Sequence, residues 1–272
     1  TPADAARLKA LYGLDRPLGE RYANWFLSAI GGDFGYSRIH NRPTLEILVP
    51  RLINTTWLMA ASLFLSLILA IPLGIYSALH PYSRSDYFIN LVALGGISIP
   101  VFWLALMLII LFSVSLGWLP AGGMGSTGDG GLTDRISHMI LPVITLSMAS
   151  IGSLTRYVRS AMMEVLRNEY IRTARAKGLS RYKIVYKHAL RNAMIPVITV
   201  LALSFGTLFS GALITETMFS YLGMGKLIYD SIIRNDYNLA LVSLLFATGL
   251  VLTGNLLADL AYAWLDPRIS YG

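Results

Sequence analysis

Cysteine is absent from this 272-residue chain, which excludes a disulfide framework and thiolate metal sites. Histidine is scarce: His40, His80, His138 and His188 stand far apart, without the spacing of metal ligands. Charge is scarce too. Only 14% of the residues are charged and 55% are hydrophobic, whereas a soluble domain carries about 25% charged residues. The deficit points to a chain solvated by lipid. The phosphate-cradling loop G-x-x-x-x-G-K-[ST] is missing as well. At its nearest approach, Gly225-Lys226, Ser220 stands at the first glycine position and Leu227 follows the lysine. This weighs against a nucleotide site within the chain. No run of basic residues alternates with stacking aromatics, so nucleic acid is not an expected partner.

What is present is a series of apolar stretches long enough to cross a bilayer, for which about 20 residues suffice. Residues 54–79, 88–116, 192–215 and 238–258 contain no Asp, Glu, Lys or Arg, and residues 136–155 contain only His138 as a titratable group. Five spans are expected, and with them an all-α polytopic membrane protein. Pro72, Pro100, Pro142 and Pro196 fall within these stretches; bundled helices tolerate such prolines because neighbours re-satisfy the freed backbone groups. The absence of charge inside the spans also bears on energetics. Ion-coupled carriers place Asp, Glu or Lys within their spans, so an energy source outside the membrane segment is the more natural reading. An ion-coupled secondary transporter is the alternative, and a membrane enzyme a third. No cluster of His, Asp and Glu gathers at one face to support the enzyme.

Positive charge is concentrated in one place. Residues 156–191 hold ten Lys and Arg against two acids, Glu164 and Glu169, while the whole chain has a net charge of +7. Such an island between spans reads as a cytoplasmic loop. Residues 117–135, with seven glycines in nineteen positions, and residues 216–237 then lie outside. The C-terminus lies inside. Residues 1–53 are expected to be an external segment with short helices at 3–11 and 17–30 and a loop at 31–43. Its seven basic residues resist this orientation, but five acids offset them. Residues 54–265 form the membrane domain, and 266–272 a cytoplasmic tail. Five spans place residue 1 outside, so a further span is expected to precede this sequence in the native protein.

Within the basic island the residues spell helix, turn, helix. Glu169 to Lys177 favour helix, Gly178 suits a stop with φ > 0, and Ser180 can cap a second helix running to about Asn192. Ile171, Ala174 and Gly178 fall at helical spacing and make a narrow face of small residues for close approach of a partner. Arg172, Arg175 and Lys177 project elsewhere and can pair with acids or carbonyls. A protein-docking surface and an amphipathic hairpin lying on anionic head groups both satisfy this pattern.

The stretch Tyr170-Ile171-Arg172-Thr173-Ala174-Arg175-Ala176-Lys177-Gly178, followed by His188-Ala189-Leu190-Arg191-Asn192-Ala193 and Pro196, resembles the cytoplasmic EAA motif of binding-protein-dependent ABC importer permeases. The match is nearest to the dipeptide, oligopeptide and nickel branch. Arg172-Thr173-Ala174 stands where the general motif has Glu-Ala-Ala, and His188-Ala189-Leu190-Arg191 where it has Ile-x-Leu-Pro. Further motifs occur in the order that branch shows: Gly32-Asp33-Phe34-Gly35-Tyr36-Ser37, Thr215-Glu216 with Phe219 and Gly223-x-Gly225, Asp236-Tyr237, and Asp259 through Asp266-Pro267-Arg268.

The resemblance implies a type I ABC importer permease bundle in a bacterial inner membrane. It implies half of a translocation pathway for peptides or similar small solutes, such as glutathione or nickel complexes. The expected partners are a second homologous permease, two cytoplasmic ATPase subunits carrying ATP and Mg, an extracytoplasmic solute-binding protein, and lipid. No cofactor, metal or catalytic residue is expected on this chain. Glu169, Tyr170, Ile171, Arg172, Thr173, Ala174, Arg175, Lys177 and Gly178 would be the coupling helix gripped by an ATPase. Glu216, Asp236 and Asp259 are candidate gating or pathway residues; Glu216 and Asp259 also suit hydrated or paired residues at span ends. His138 reads as a satisfied interfacial residue, Asp33 as a turn residue, and Gly95, Gly96, Gly206 and Gly211 as helix-packing positions.

Overall fold

The apolar stretches of the sequence lie in helix, with a break at residues 99–100. The structure, a computed structural model, describes residues 15–126 and 131–265; the side chains of 199–200, 202–211, 258–259 and 261–265 lie outside the described set. Helix α1 covers Leu18–Ile30 and α2 covers Thr44–Leu79. Helix α3 is Arg84–Ser98, and α4 is Val101–Leu108 with a π-helical continuation, Ile109–Ser115. Helix α5 is Gly131–Val165 and α6 is Glu169–Ala176. A π-helical stretch, Lys183–Ala189, leads into α7, Leu190–Met218. Helices α8, Met224–Ile233, and α9, Tyr237–Leu265, complete the chain.

The first expected span begins earlier than its apolar run. Helix α2 starts at Thr44 and runs 36 residues without a break at residue 54. The charges Glu46 and Arg51 end the apolar stretch but not the helix, because charged straight-chain residues are good helix formers. The second expected span, 88–116, is not one straight helix. It is two helices bent by 103°. Pro100 has no N–H to give and clashes with an α conformation at the residue before it; Ile99 accordingly sits extended at φ −78, ψ 124. Among the described residues three helices are long and apolar enough to cross a membrane, or four with the bent pair taken as one. Helix α7, at 29 residues, is long enough by its rise of about 1.5 Å per residue.

Helix α2 lies along α5 in the most extensive pairing of the bundle. Glycine makes this possible. A Cβ on Gly74 would sit 2.6 Å from Val158 Cβ, and one on Gly152 would sit 2.3 Å from the Ala93 carbonyl oxygen of α3. Close backbone approach through small residues is how spans associate where lipid removes the hydrophobic drive. Gly95, expected to pack, has nothing within 4 Å of such a Cβ; Gly96 does pack, at 3.1 Å from the Met148 carbonyl. Gly206 and Gly211 lie outside the described side chains. Large apolar residues such as Trp57, Phe64, Phe88, Phe102 and Leu252 stand exposed on the helices. In water such a surface is a liability; in a bilayer it is the solvated face.

Candidate functional site

One apolar cluster gathers at the end of the bundle that carries the basic island. Ala70 and Ala78 of α2 meet Val158 and Met162 of α5, Ile171 and Ala174 of α6, and Val185 and Ala189 ahead of α7. The short helix α6 is seated on this cluster. Its start follows Asn168 in extended conformation. Glu169 in the first turn and Arg175 in the last suit the helix dipole. The end is a Schellman motif: the Gly178 N–H donates to the Arg175 carbonyl at 2.9 Å, the Leu179 N–H to the Ala174 carbonyl at 3.3 Å, and Gly178 has φ +77. The Ser180 hydroxyl accepts the Lys183 N–H at 3.4 Å. The second helix does not stop near Asn192 but continues into α7, because residues 192–215 are apolar and Pro196 falls within the helix without ending it.

Two of the three residues of the small face, Ile171 and Ala174, turn inward onto the chain's own core, while Gly178 stands exposed. Ile171 is 0% exposed and Ala174 is buried beside it. The inward set is apolar and small, so it satisfies the chain's own core first. Glu169, Tyr170, Arg172, Thr173, Arg175, Lys177 and Gly178 are exposed. Arg172 pairs with Glu169 at 2.7 Å on that outer side, a solvated pair of little energetic weight. The Asn192 amide donates to the Tyr170 hydroxyl at 2.8 Å and ties α6 to α7.

A buried ion pair next to the hairpin was not singled out from the sequence. Arg159 of α5 donates twice to Asp86, Nε to Oδ1 and Nη2 to Oδ2, each at 2.7 Å. Asp86 also accepts from the Ser77 hydroxyl, the Tyr82 N–H at 2.8 Å and the Asn90 amide at 2.7 Å. One carboxylate thus joins α2, α3 and α5. The signal available in the sequence was Ser83 ahead of Asp86, an N-cap pattern, with the Ser83 hydroxyl accepting the Asp86 N–H at 3.2 Å. The arginine partner is 73 positions away and carries no local signal.

Two of the three candidate gating carboxylates are found at helix starts. Glu216 is 0% exposed. Its carboxylate accepts the Lys226 N–H at 3.0 Å and the Thr55 hydroxyl, while Thr55 accepts the Met224 N–H at 2.7 Å. The carboxylate therefore sits on the N-terminal turn of α8, where unpaired N–H groups and the dipole favour negative charge. Gly223 is required here, since a Cβ would lie 2.1 Å from Glu216 Oε1. Asp236 precedes α9 and accepts from the Leu239 N–H at 3.4 Å. It also accepts the Ser37 hydroxyl and the N–H groups of Arg38 and Ile39, both at 3.2 Å. Burial pushes the Asp236 carboxyl up, but the bonds from Ser37, Ile39 and Arg38 outweigh it and hold the group below the usual carboxylate range. Asn238 adds donations to the Phe34 and Tyr36 carbonyls at 3.0 and 3.2 Å. The motif around Asp33–Ser37 and the motif at Asp236, some 200 positions apart, are thus one structural unit. The Asp33 carboxylate accepts the Gly35 N–H at 2.9 Å, a turn contact. His138 is buried, with Nδ1 2.8 Å from the Asp134 carbonyl oxygen. The side chain of Asp259 and residues 266–268 lie outside the described set. Among the described residues no group of His, Cys, Asp and Glu could hold a metal ion.

Residues 70–271 match the family of the binding-protein-dependent transport system inner membrane component. The chain belongs to this family. It is 42% identical over 271 residues to the oligopeptide transport system permease protein AppB of Bacillus subtilis, covering 99% of this chain and 86% of that protein. It is 38% identical over 293 residues to the dipeptide transport system permease protein DppB of Escherichia coli, covering 100% and 86%. The fold is that of the membrane subunit in an inward-facing structure of the MetNI methionine ABC transporter, with a TM-score of 0.67 at 17% identity, over 82% of this chain and 97% of that one. The permease is a translocation subunit of an ATP-driven importer of the inner membrane, not an enzyme. The ATPase resides on separate subunits, and the family implies an ATPase and a binding protein as its partners.

Proposed function

We propose that this permease pairs with a second, homologous permease to enclose a pathway for peptides or similar small solutes, and that α6 is the coupling helix on which an ATPase subunit pulls. The peptide substrate is supported by relatives named for oligopeptide and dipeptide transport. In this reading residues 156–191 and the C-terminus face the cytoplasm, residues 1–53 and 216–237 face outside, and ATP and Mg bind the two ATPase subunits.

The observation that carries the coupling role is the division of α6 into two sides. Ile171 and Ala174 are embedded among residues of α2, α5 and α7, so displacement of α6 displaces three helices together. The charged side, with Arg172 and Lys177, is exposed to a partner. A nucleotide-dependent motion requires a contact whose strength differs between two states, and this side offers it. Glu216 and Asp236 fasten α8 and α9 to α2 and to residues 37–39, where they would hold the outer end as a unit while the inner end opens. The test is uptake by the complete complex in proteoliposomes with its binding protein and ATP. Lys177→Glu with Arg172→Glu is expected to abolish uptake while the permease still inserts and pairs. Uptake at the wild-type rate would overturn the assignment.

A further inference from the structure

A cavity of about 510 Å3 opens where α2 ends, between the end of α5 and the α6–α7 hairpin. Its floor is apolar, with Leu79, Met163, Leu166 and Ile184; three arginines, Arg167, Arg175 and Arg181, also line it. Arginine is always charged. Among the described residues no carboxylate pairs with any of the three, whereas Arg42, Arg159 and Arg172 each have an acid. Of the nearby acids, Glu169 is already taken by Arg172. The floor begins on Ala78 and Leu79, the last residues of an apolar span, so the cavity sits at the bilayer edge.

We infer that this cavity binds an anionic phospholipid, its phosphodiester held by the three arginines and the start of an acyl chain lying on the floor. Basic pockets between spans at the membrane surface take such head groups. The two halves of the cavity select this ligand. A free phosphate would leave the apolar floor wet, and an acidic protein side chain would satisfy the arginines but cover little of the floor. Because α6 and the segment after it form one wall, the bound lipid bridges the hairpin to α2 and α5. The inference rests on the membrane reading and not on the coupling role, and its test reads lipid rather than transport, so the two fail separately.

The experiment is native mass spectrometry of the assembled complex taken from nanodiscs of phosphatidylcholine doped with phosphatidylglycerol. Phosphatidylglycerol is expected to stay bound through activation that strips phosphatidylcholine. The double variant Arg167→Gln, Arg181→Gln should retain it about thirtyfold less well, and Arg167→Lys, Arg181→Lys should retain it nearly as wild type. Equal retention of both lipids, or retention unchanged in the glutamine variant, overturns the proposal. Displacement by millimolar inorganic phosphate reassigns the site to free phosphate. Arginines shielded by the ATPase subunits with no lipid retained reassign it to protein contact.

Discussion

Gly223 and Gly95 make opposite demands on a methyl group. At Gly223 a Cβ meets the carboxyl of Glu216 at 2.1 Å, so Gly223→Ala must displace a buried carboxylate from the start of α8. A cost of about 3 kcal/mol is expected, seen as a clear fall in the detergent melting temperature. At Gly95 nothing lies within 4 Å, and Gly95→Ala should stabilise by about 0.5–1 kcal/mol through helix propensity. Equal melting of the two variants would refute the carboxylate seat. Asp236 supplies a pH dependence. Its carboxyl is held below the ordinary value by the bonds from residues 37–39. The stability it gives is therefore present above the unfolded value of about 3.9 and is lost as pH falls through the lower folded value. Melting temperature measured from pH 5 to pH 3 should fall less steeply in Asp236→Asn than in wild type.

At the scale of elements, the bent pair α3–α4 and the hairpin at α6 each hang on one constellation. Asp86 holds the loop before α3 to α5 through Arg159, whose side chain is 22% exposed. Removing one partner leaves the other uncompensated, at about 3 kcal/mol, the low end for a buried pair. Asp86→Ala should show this cost, while Asp86→Ala combined with Arg159→Met should recover part of it in a double-mutant cycle. Helix α6 depends on its inward face. Ala174→Trp has no room beside Ile171 and the facing core, and is expected to expose the hairpin to limited proteolysis. Cleavage unchanged from wild type would refute the inward seating. The start and stop of this hairpin were legible, because Gly178 and Ser180 act on their own neighbours. Which face turned inward was not, because small residues serve a partner's approach and the chain's own core equally well.

For the whole molecule, the absence of cysteine makes orientation directly measurable. A Ser126→Cys variant is expected to react with an impermeant thiol reagent from the outer side, and Ser180→Cys only from the inner side; the reverse pattern would invert the proposed topology. Sequence alone determined that the chain is an all-helical membrane subunit of this family, since lipid solvation demands long uncharged runs and local motifs survive in order along the chain. It also determined the turn chemistry at Gly178 and Ser180, where the forces act within a few residues. Only the tertiary structure decided the rest. The break at Ile99–Pro100 was written in the proline but could equally have been a tolerated kink, until packing made it a 103° bend. Asp86 with Arg159, Glu216 with Thr55, and Asp236 with residues 37–39 join positions 73 to 199 apart. Charge partners of that kind are chosen by burial: a carboxylate removed from water must find its donors wherever the fold brings them, and no spacing in the sequence announces which they are.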